Sequence, residues 1–356
     1  MNDRERLLRR LRRNADEDEL ARADADGRLP TLAVERALGG AGSHTLSRVA
    51  RSSGLPTDFL RELMQALGRP NPRPRERVFT DEDVEVARVV RTFLDAGLPR
   101  AELLEIARVL SMGMAQTAGA VRGVVGNAML RPGDSEYTVA LRYARAAEQL
   151  GPLMAKLLDA EFRAHLREGV RGQLISESER HAGQIAGTRD MAVAFADLVD
   201  YTRLGERLAP EDVGRIAGRL ADIAVAAARR PAQLVKTIGD AAMLVSPAVP
   251  ELVASVADLA DDIESEGDDY PGVRVGVAFG PATSRGGDWF GATVNVASRV
   301  AGVARPGQVL ATEAVAGRVA DRAWRRKRRR SLKGVDGRVR LYALDRKAAP
   351  EPELEA

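Results

Sequence analysis

The spacing of apolar residues changes near residue 190, and this change constrains the fold more than any other feature of the sequence. Before it, apolar residues recur at helical spacing, for example over 3–13 and 101–112. Proline-rich breaks such as 70–74 separate these helical stretches, since proline cannot continue a helix. A chain of 356 residues is long enough for two domains. We therefore expect an all-α domain followed by a domain of another class.

After residue 190, short strand-like runs alternate with helical stretches. The runs 233–238 and 241–245 flank Gly239-Asp240, a dipeptide typical of a hairpin turn. Further strands are predicted at 192–198, 273–279, 307–311 and 338–344, and helices at 204–228, 250–265 and 294–303. This alternation predicts an α+β sheet with its helices on one face.

Composition restricts the setting of the protein. Without cysteine, the chain has no disulfides, no thiolate catalysis and no Cys-ligated metal, which is typical of a cytoplasmic protein. The longest apolar runs, such as 224–228, are too short to span a bilayer. The N-terminus lacks the apolar segment of a signal peptide. We expect a cytoplasmic protein with no transmembrane segment.

Positive charge is clustered in two runs, 9–13 and 325–330, although the net charge is only +3. Such runs can bind phosphate, nucleic acid or an acidic partner. They are more often solvated faces, and we favour that interpretation for both.

Two aspartates are placed to converge. Asp197 ends the first predicted strand of the second half, and Asp240 lies at the predicted hairpin turn. Two carboxylates together suit Mg²⁺ or Mn²⁺, whose shells are completed by phosphate oxygens and water. An isolated turn aspartate, however, usually just caps backbone groups.

Separate motifs in order give these aspartates a context. They are Gly-Asp-Trp-Phe-Gly at 287–291, Val-Asn-Val-Ala-Ser-Arg at 294–299, Leu-Lys-Gly-Val at 332–335 and Val-Arg-Leu-Tyr at 339–342. With Asp197 and Asp240 they make the chain resemble the class III nucleotidyl cyclase family from about residue 192 to 344. The resemblance implies a ferredoxin-like catalytic domain that converts ATP to 3′,5′-cyclic AMP and pyrophosphate.

The resemblance also implies roles for residues that bind metal and base. Asp197 and Asp240 would bind two Mg²⁺ or Mn²⁺ per active site, with the backbone carbonyl of Leu198 as a further ligand. Lys236 and Asp288 fall where the family reads the purine. A lysine donates to adenine N1 and an aspartate accepts from its amino group, whereas guanine presents the opposite polarity.

The remaining implied roles concern the ribose and phosphates. Asn295 would orient the ribose, and Arg299, four residues later on the same helix face, would offset charge at the α-phosphate. Arg274 and Lys333 would bind the β- and γ-phosphates. In this family the Asn/Arg pair comes from the second protomer, so the resemblance implies a homodimer with two active sites.

The arrangement as a whole resembles bacterial cyclases that carry a helical autoregulatory domain responding to pH or lipid. On this basis we expect a regulatory domain at 1–163, a connecting helix at 164–190, a catalytic domain at 191–346 and a flexible tail at 347–356. His165 and His181 fall in the connector, where histidines can sense protons. Two exposed histidines without a role explain the pattern equally well, and core packing explains the apolar stretch 109–125 as well as a lipid cavity does.

Two departures from the family are apparent. The family commonly has glycine where this chain has Asp200, whose charge near the phosphates could lower activity. It also often has a histidine-containing turn where this chain reads Ala-Phe-Gly at 278–280. The Gly-Gly-Asp at 286–288 is followed by Trp rather than Glu, which argues against a diguanylate cyclase, and there is no P-loop motif.

Residues 44–98 contain a helix-turn-helix-like pattern, with Thr80 as the predicted N-cap of a further helix. The pattern loosely resembles the MerR-type winged DNA-binding domain. A three-helix packing unit is the simpler interpretation, since only Arg61 is an evident phosphate contact on the second helix. We therefore expect no nucleic acid partner. The alternative function is a transcription regulator with a degenerate nucleotide-sensing cyclase domain.

Overall fold

The computed structural model describes residues 2–13, 15–40, 42–177, 188–267 and 269–348. Internal contacts divide the chain into two compact units, residues 1–181 and 182–356. Most of the predicted flexible tail, residues 349–356, and part of the predicted connector, residues 178–187, lie outside the described residues.

The described part of the first unit is all helical, which confirms the predicted class. No helix within the described ranges combines the length and apolar character needed to cross a bilayer. The helices are α1 (Asp3–Leu11), α2 (Glu17–Ala25), α3 (Leu29–Ala37), α4 (Leu46–Ser53), α5 (Thr57–Ala66), α6 (Asp81–Asp95), α7 (Arg100–Met129) and α8 (Glu136–Glu177).

Two separate cores hold this unit together. Helices α1 to α3 bury Leu7, Leu11 and Leu29 against the first turns of α8. Helices α4 to α6 bury a second set around Phe59, against the start of α7. Both α7 and α8 continue well beyond these cores. They are longer than the sequence predicted, and α8 includes the start of the predicted connector.

The helix-turn-helix-like segment is present as α4 and α5. Helix α4 ends at Gly54, whose φ of +71° is the left-handed conformation that glycine adopts without strain. Helix α6 begins after Thr80, whose side chain accepts a hydrogen bond from the Asp83 amide at 3.2 Å, and the Asp83 carboxylate accepts one from the Thr80 amide. This capping box confirms Thr80 as the N-cap.

The second unit is built on one large mixed sheet. The strands of this sheet are β1 (Thr188–Leu198), β2 (Gln233–Ile238), β3 (Ala241–Ser246), β4 (Val273–Arg285), β5 (Asp288–Phe290), β6 (Val309–Thr312), β7 (Trp324–Arg326) and β10 (Leu341–Leu344). Strands β8 (Arg330–Ser331) and β9 (Arg338–Val339) form a separate two-stranded sheet in the same unit. Its helices are α9 (Tyr201–Gly205), α10 (Pro210–Ala227), α11 (Val249–Ser265), α12 (Ala292–Ala301) and α13 (Glu313–Ala316).

The first part of this sheet has the predicted ferredoxin-like topology. The chain runs β1-α10-β2-β3-α11-β4, and the strands lie side by side in the antiparallel order β2-β3-β1-β4. Strand β6 then adds parallel to β4, followed by β10 and β7. Strand β1 is therefore central, and residues at its carboxyl end lie between two neighbouring strands.

The prediction that the helices cover one face of the sheet is wrong. Helices α10 and α11 pack on one face through Leu220, Leu252 and Leu259. Helix α12 packs on the opposite face, where Ala297 contacts Met243. Because both faces are covered, β1 reads as a continuous apolar run rather than an alternating one.

Some predicted boundaries also differ from the structure. The helix predicted over 204–228 is two helices, α9 and α10, separated by a short turn before Pro210. Strand β1 begins at Thr188, inside the predicted connector, and β4 extends to Arg285 rather than ending at Phe279.

Candidate active site

The carboxyl end of β1 carries the first predicted metal ligand. Asp197 lies opposite Ala241 of β3 on one side and Arg274 of β4 on the other. Asp240 directly precedes Ala241, and its carbonyl accepts a 2.9 Å hydrogen bond from the Leu198 amide. The strand pairing thus brings the three residues predicted to bind metal to one end of the sheet.

The tight turn between β2 and β3 positions Asp240. Gly239 has a φ of +59°, a left-handed conformation that glycine adopts without strain. An added Cβ there would meet no atom within 4 Å, so the backbone conformation rather than space favours glycine. The Gly-Asp pair that indicated a hairpin in the sequence therefore places Asp240 in the turn before β3.

The surroundings of Asp240 indicate a site suited to a cation. Burial raises the pKa of the Asp240 carboxyl above its ordinary value, and the negative charge of Asp197 shifts it in the same direction. The positive charge of Arg274 shifts this pKa the other way. A divalent cation bound between the two aspartates would offset this negative charge.

The protein supplies only part of a metal coordination shell. Within the described ranges, no group of three or more His, Asp or Glu side chains is arranged to hold a metal ion. Two carboxylates and a backbone carbonyl leave positions for phosphate oxygens and water, which is the usual environment of Mg²⁺ beside a nucleotide. The donor set therefore fits the predicted metals when substrate is present.

Arg274, predicted to bind phosphate, pairs with Asp197 instead. Its Nε donates to Asp197 Oδ2 at 2.7 Å, and a terminal nitrogen of the same guanidinium also donates to that oxygen. Both side chains are about one-third exposed or less. The guanidinium thus lies where it compensates the carboxylate charge.

Lys236 and Asp288, the predicted base-reading residues, form an ion pair across 52 positions of sequence. Lys236 is on β2, and Asp288 begins β5, opposite Arg285 of β4. The second Asp288 oxygen accepts the Trp289 amide at 2.8 Å. The structure therefore brings together a lysine donor and an aspartate acceptor that were predicted to read one base.

Asn295 and Arg299 lie on the exposed side of α12. The opposite side is buried through Thr293, Ala297 and Val300. Helix α12 lies so close to β4 that a Cβ at Gly276 would fall 2.4 Å from the Ala297 carbonyl oxygen, and only glycine leaves room for this approach. This close packing fixes the rotation of α12, so the predicted ribose and phosphate residues face out of the protomer.

Lys333 lies in an exposed turn after β8. The preceding Leu332 is buried, in a cluster that includes Val300 of α12 and Leu341 of β10. Among the described residues, no hydrogen bond or ion pair joins the Lys333 side chain to the other predicted site residues.

The structure adds Tyr201, which the sequence analysis missed, to this region. Burial and the charge of Asp240 raise the pKa of the Tyr201 hydroxyl, which donates to the Val213 carbonyl at 2.9 Å. The sequence held one signal, namely that Tyr201 follows Asp197 by four residues. The adjacent Asp200 has a φ of +58°, which explains why glycine is common there and why aspartate is tolerated.

Comparisons with known proteins match both units of the chain. Residues 1–170 match the family model described as adenylate cyclase regulatory domain, and residues 184–346 match the one described as adenylate and guanylate cyclase catalytic domain. A protein named pH-sensitive adenylate cyclase from Mycobacterium tuberculosis is 35% identical over 89% of this chain and 82% of its own length. A protein named adenylate cyclase from Streptomyces coelicolor is 29% identical, covering 78% of this chain and 72% of its own.

Among solved structures, the guanylate cyclase domain of a rhodopsin–guanylyl cyclase from Catenaria anguillulae, in complex with GTP, is similar at 22% identity. The match covers 45% of this chain and 98% of that one, with a TM-score of 0.41. Two family models match in succession along the chain, and the relative at 35% identity spans both of them. The chain belongs to the class III adenylate cyclases that carry a regulatory domain ahead of the catalytic domain.

Proposed function

We propose that this enzyme converts ATP to 3′,5′-cyclic AMP and pyrophosphate at two sites of a homodimer, using two Mg²⁺ or Mn²⁺ ions per site. The observation that carries the proposal is the convergence of Asp197 and Asp240 at the end of β1, with the Leu198 backbone between them. When bound, the metals would acidify the 3′-hydroxyl and neutralise charge on the phosphates.

Adenine recognition is assigned to Lys236 and Asp288. Their ion pair holds the lysine beside the aspartate before substrate arrives, so their relative position need not be formed on binding. Lys236 would donate to adenine N1 and Asp288 would accept from the exocyclic amine. Guanine has a donor at N1 and an acceptor at O6, so it would form neither of these bonds, which disfavours GTP.

Arg274 and Lys333 are assigned to the β- and γ-phosphates. Arg274 would exchange its bond with Asp197 for phosphate oxygens as the substrate binds, since a metal at Asp197 would then supply the positive charge there. Lys333 lies in an exposed turn, so its flexible ammonium group can reach the phosphates without breaking an internal contact.

The homodimer follows from the outward direction of Asn295 and Arg299. On this proposal each protomer offers its Asn/Arg pair to the metal and base residues of its partner. Two large apolar side chains beside the site, Ile238 and Phe290, are 56% and 52% exposed, as expected of residues that a second protomer covers.

Regulation is assigned to residues 1–163, acting through a connector at 164–190. One relative is named pH-sensitive, and we propose that this chain also responds to protons. His165 is exposed on α8, whereas His181 lies outside the described residues. Val109 and Val124 are exposed on α7, which gives no support to a lipid cavity there. Since ATP is the substrate and the chain has no cysteine, we place the enzyme in the cytoplasm.

The test is cyclic nucleotide production by the purified full chain with Mn²⁺ and either ATP or GTP. We expect cyclic AMP from ATP, little product from GTP, and a loss of about 10²-fold or more in Asp240→Asn. The conservative Lys236→Arg variant serves as a matched control, because it keeps the positive charge but alters the donor geometry. In this variant the preference for ATP over GTP should fall, while the dependence of activity on Mn²⁺ should change less. Activity that survives in Asp240→Asn would overturn the assignment of the metal site.

A further inference from the structure

A pocket on the catalytic unit indicates a second anion-binding site. The pocket has a volume of about 390 Å³ and is lined by basic residues, namely Arg326, Lys327, Arg328, Arg329 and Arg340. Lys333 is not among them, so the pocket is distinct from the proposed phosphate-binding residues. We call these five residues the basic pocket.

The charges of the basic pocket are almost uncompensated. Within the described part of the chain, residues 326–329 form no ion pair with an acidic side chain, and Arg340 has only Glu313 at 3.6 Å. The neighbouring Arg325 behaves differently, since its Nε donates to Asp345 at 3.0 Å. Like charges this close repel one another, so an anion bound among them is favoured.

Backbone pairing fixes the basic segment at its start and at its end. Arg326 pairs with Tyr342 across the main sheet, and the Lys327 amide donates to the Leu341 carbonyl at 2.9 Å. Arg330 then pairs with Val339 in the small β8–β9 sheet. A short connection fixed at both ends gathers the positive charge, so its backbone need not be ordered on binding.

The lining identifies the class of ligand. The volume lies in the range of small-molecule sites, yet the lining is cationic rather than apolar, so the ligand must be densely charged. Arginine forks bind phosphate oxygens in a bidentate manner. Among the described residues, no aromatic side chain lines the pocket to stack a base, and no apolar side chain lines it to enter a membrane. We propose that the basic pocket binds a linear oligophosphate, a function beyond the proposed cyclase reaction.

The test is isothermal titration of the full chain with sodium tripolyphosphate in EDTA, which removes metal-dependent binding at the proposed active site. Arg328→Gln/Arg329→Gln should weaken tripolyphosphate binding by about tenfold or more. The matched control is Arg12→Gln/Arg13→Gln, which removes the same charge from exposed arginines of the other basic run. The control should bind tripolyphosphate as the wild type does.

Further arms separate the sources of phosphate. If Arg328→Gln/Arg329→Gln weakens the binding of both ATP and tripolyphosphate, the pocket binds any triphosphate chain. If the variant weakens the binding of tripolyphosphate alone, the pocket binds free oligophosphate. A titration with a short DNA duplex completes the set. The proposal is overturned if the wild type does not bind tripolyphosphate or if both double variants lose tripolyphosphate binding equally. It is also overturned if Arg328→Gln/Arg329→Gln weakens binding of the DNA duplex but not of tripolyphosphate. Circular dichroism checks folding, and Lys327→Gln replaces the double variant if that variant is unfolded.

Discussion

The two units differ in how much apolar surface they leave exposed. In the first unit, helices α6, α7 and α8 expose many large apolar side chains, including Phe93, Ile106 and Leu157. In the second unit the described residues with this property are few, namely Leu208, Val225, Ile238 and Phe290. The catalytic unit buries its apolar residues within one chain, whereas the helical unit does not.

The difference bears on the proposed homodimer in two ways. On α8, Leu150, Leu153 and Leu157 follow one another at helical spacing and are exposed together. Monomeric proteins rarely expose such continuous apolar surface. The catalytic unit instead has a finished core but directs Asn295 and Arg299 outward. In the proposed homodimer, a second copy would complete the site of the catalytic unit and would be available to cover the leucines of α8.

The largest expected effect tests the incompleteness of the catalytic unit. Asp240→Asn and Arg299→Ala should each be nearly inactive alone. Mixed and allowed to exchange subunits, they should recover about a quarter of wild-type activity, because half the dimers are mixed and each mixed dimer keeps one intact site. Cyclic AMP production measures this.

The control is a pair of variants whose changes both lie among the metal- and base-binding residues of one protomer. Asp240→Asn mixed with Lys236→Ala should stay inactive, since each mixed dimer then has a defect in both sites. Recovery in this second mixture would contradict the placement of Asp240 and Lys236 on one protomer, and no recovery in the first mixture would contradict the assignment of Arg299 to the partner's site.

The next effect compares burial in the two units. Leu252 is fully buried under the sheet and Leu157 is 54% exposed. Leu252→Ala should cost about 3 kcal/mol in the free energy of unfolding of the catalytic unit, since it removes core contacts and leaves a cavity. Leu157→Ala should cost less than about 0.5 kcal/mol in dilute protein.

Urea unfolding at two protein concentrations measures both variants. If a second copy covers α8, the cost of Leu157→Ala should rise with concentration, while that of Leu252→Ala stays constant. A cost for Leu157→Ala that is large and independent of concentration would mean that α8 is buried within one chain.

A smaller effect concerns how the charge of the Asp240 carboxylate at the proposed metal site changes the stability of the fold. The raised pKa of Asp240 means that the folded protein binds this proton more tightly than the unfolded chain. Stability is therefore lost as pH rises above the ordinary value of 3.8, and Asp240→Asn should have the higher melting temperature at neutral pH in EDTA. The difference should vanish below that pH.

Melting curves with and without Mn²⁺ check this sign. Mn²⁺ should stabilise the wild type and not Asp240→Asn, because only the wild type keeps both carboxylates. A wild type that is more stable than the variant in EDTA at neutral pH would contradict the argument from repulsion.

The smallest effect is at Asp200, whose φ is +58°. Asp200→Gly should stabilise the catalytic unit by up to about 1 kcal/mol, because glycine adopts this conformation without strain. Asp200→Ala, which keeps a Cβ and loses the carboxylate, should be less stable than Asp200→Gly. If the two variants have equal midpoints in urea, the backbone conformation is not what favours glycine.

Much of the catalytic unit could be predicted from the sequence because its signals are local. The Gly239-Asp240 turn and the apolar runs beside it specify a hairpin, and the motif residues lie at fixed spacings along single elements. The helices of the first unit also follow from local signals, such as the Thr80 cap.

Other features depended on residues far apart in sequence. The pairing of Arg274 with Asp197 follows from the register of β1 on β4, and that of Lys236 with Asp288 from the approach of β5 to β2. Helix α12 lies on the second face of the sheet because Gly276 admits it, which the one-face prediction missed. No local pattern carries such registers.

The sequence by itself determined the helical and α+β halves, the hairpin and the identity of the chemical groups, because turn residues, caps and apolar periods act over a few positions. Tertiary structure alone decided which of those groups meet, which side of α12 faces outward, and that the cations of 326–329 gather around one pocket. These depend on strand register and close packing between distant segments, where a shift of one residue moves a side chain to the other face.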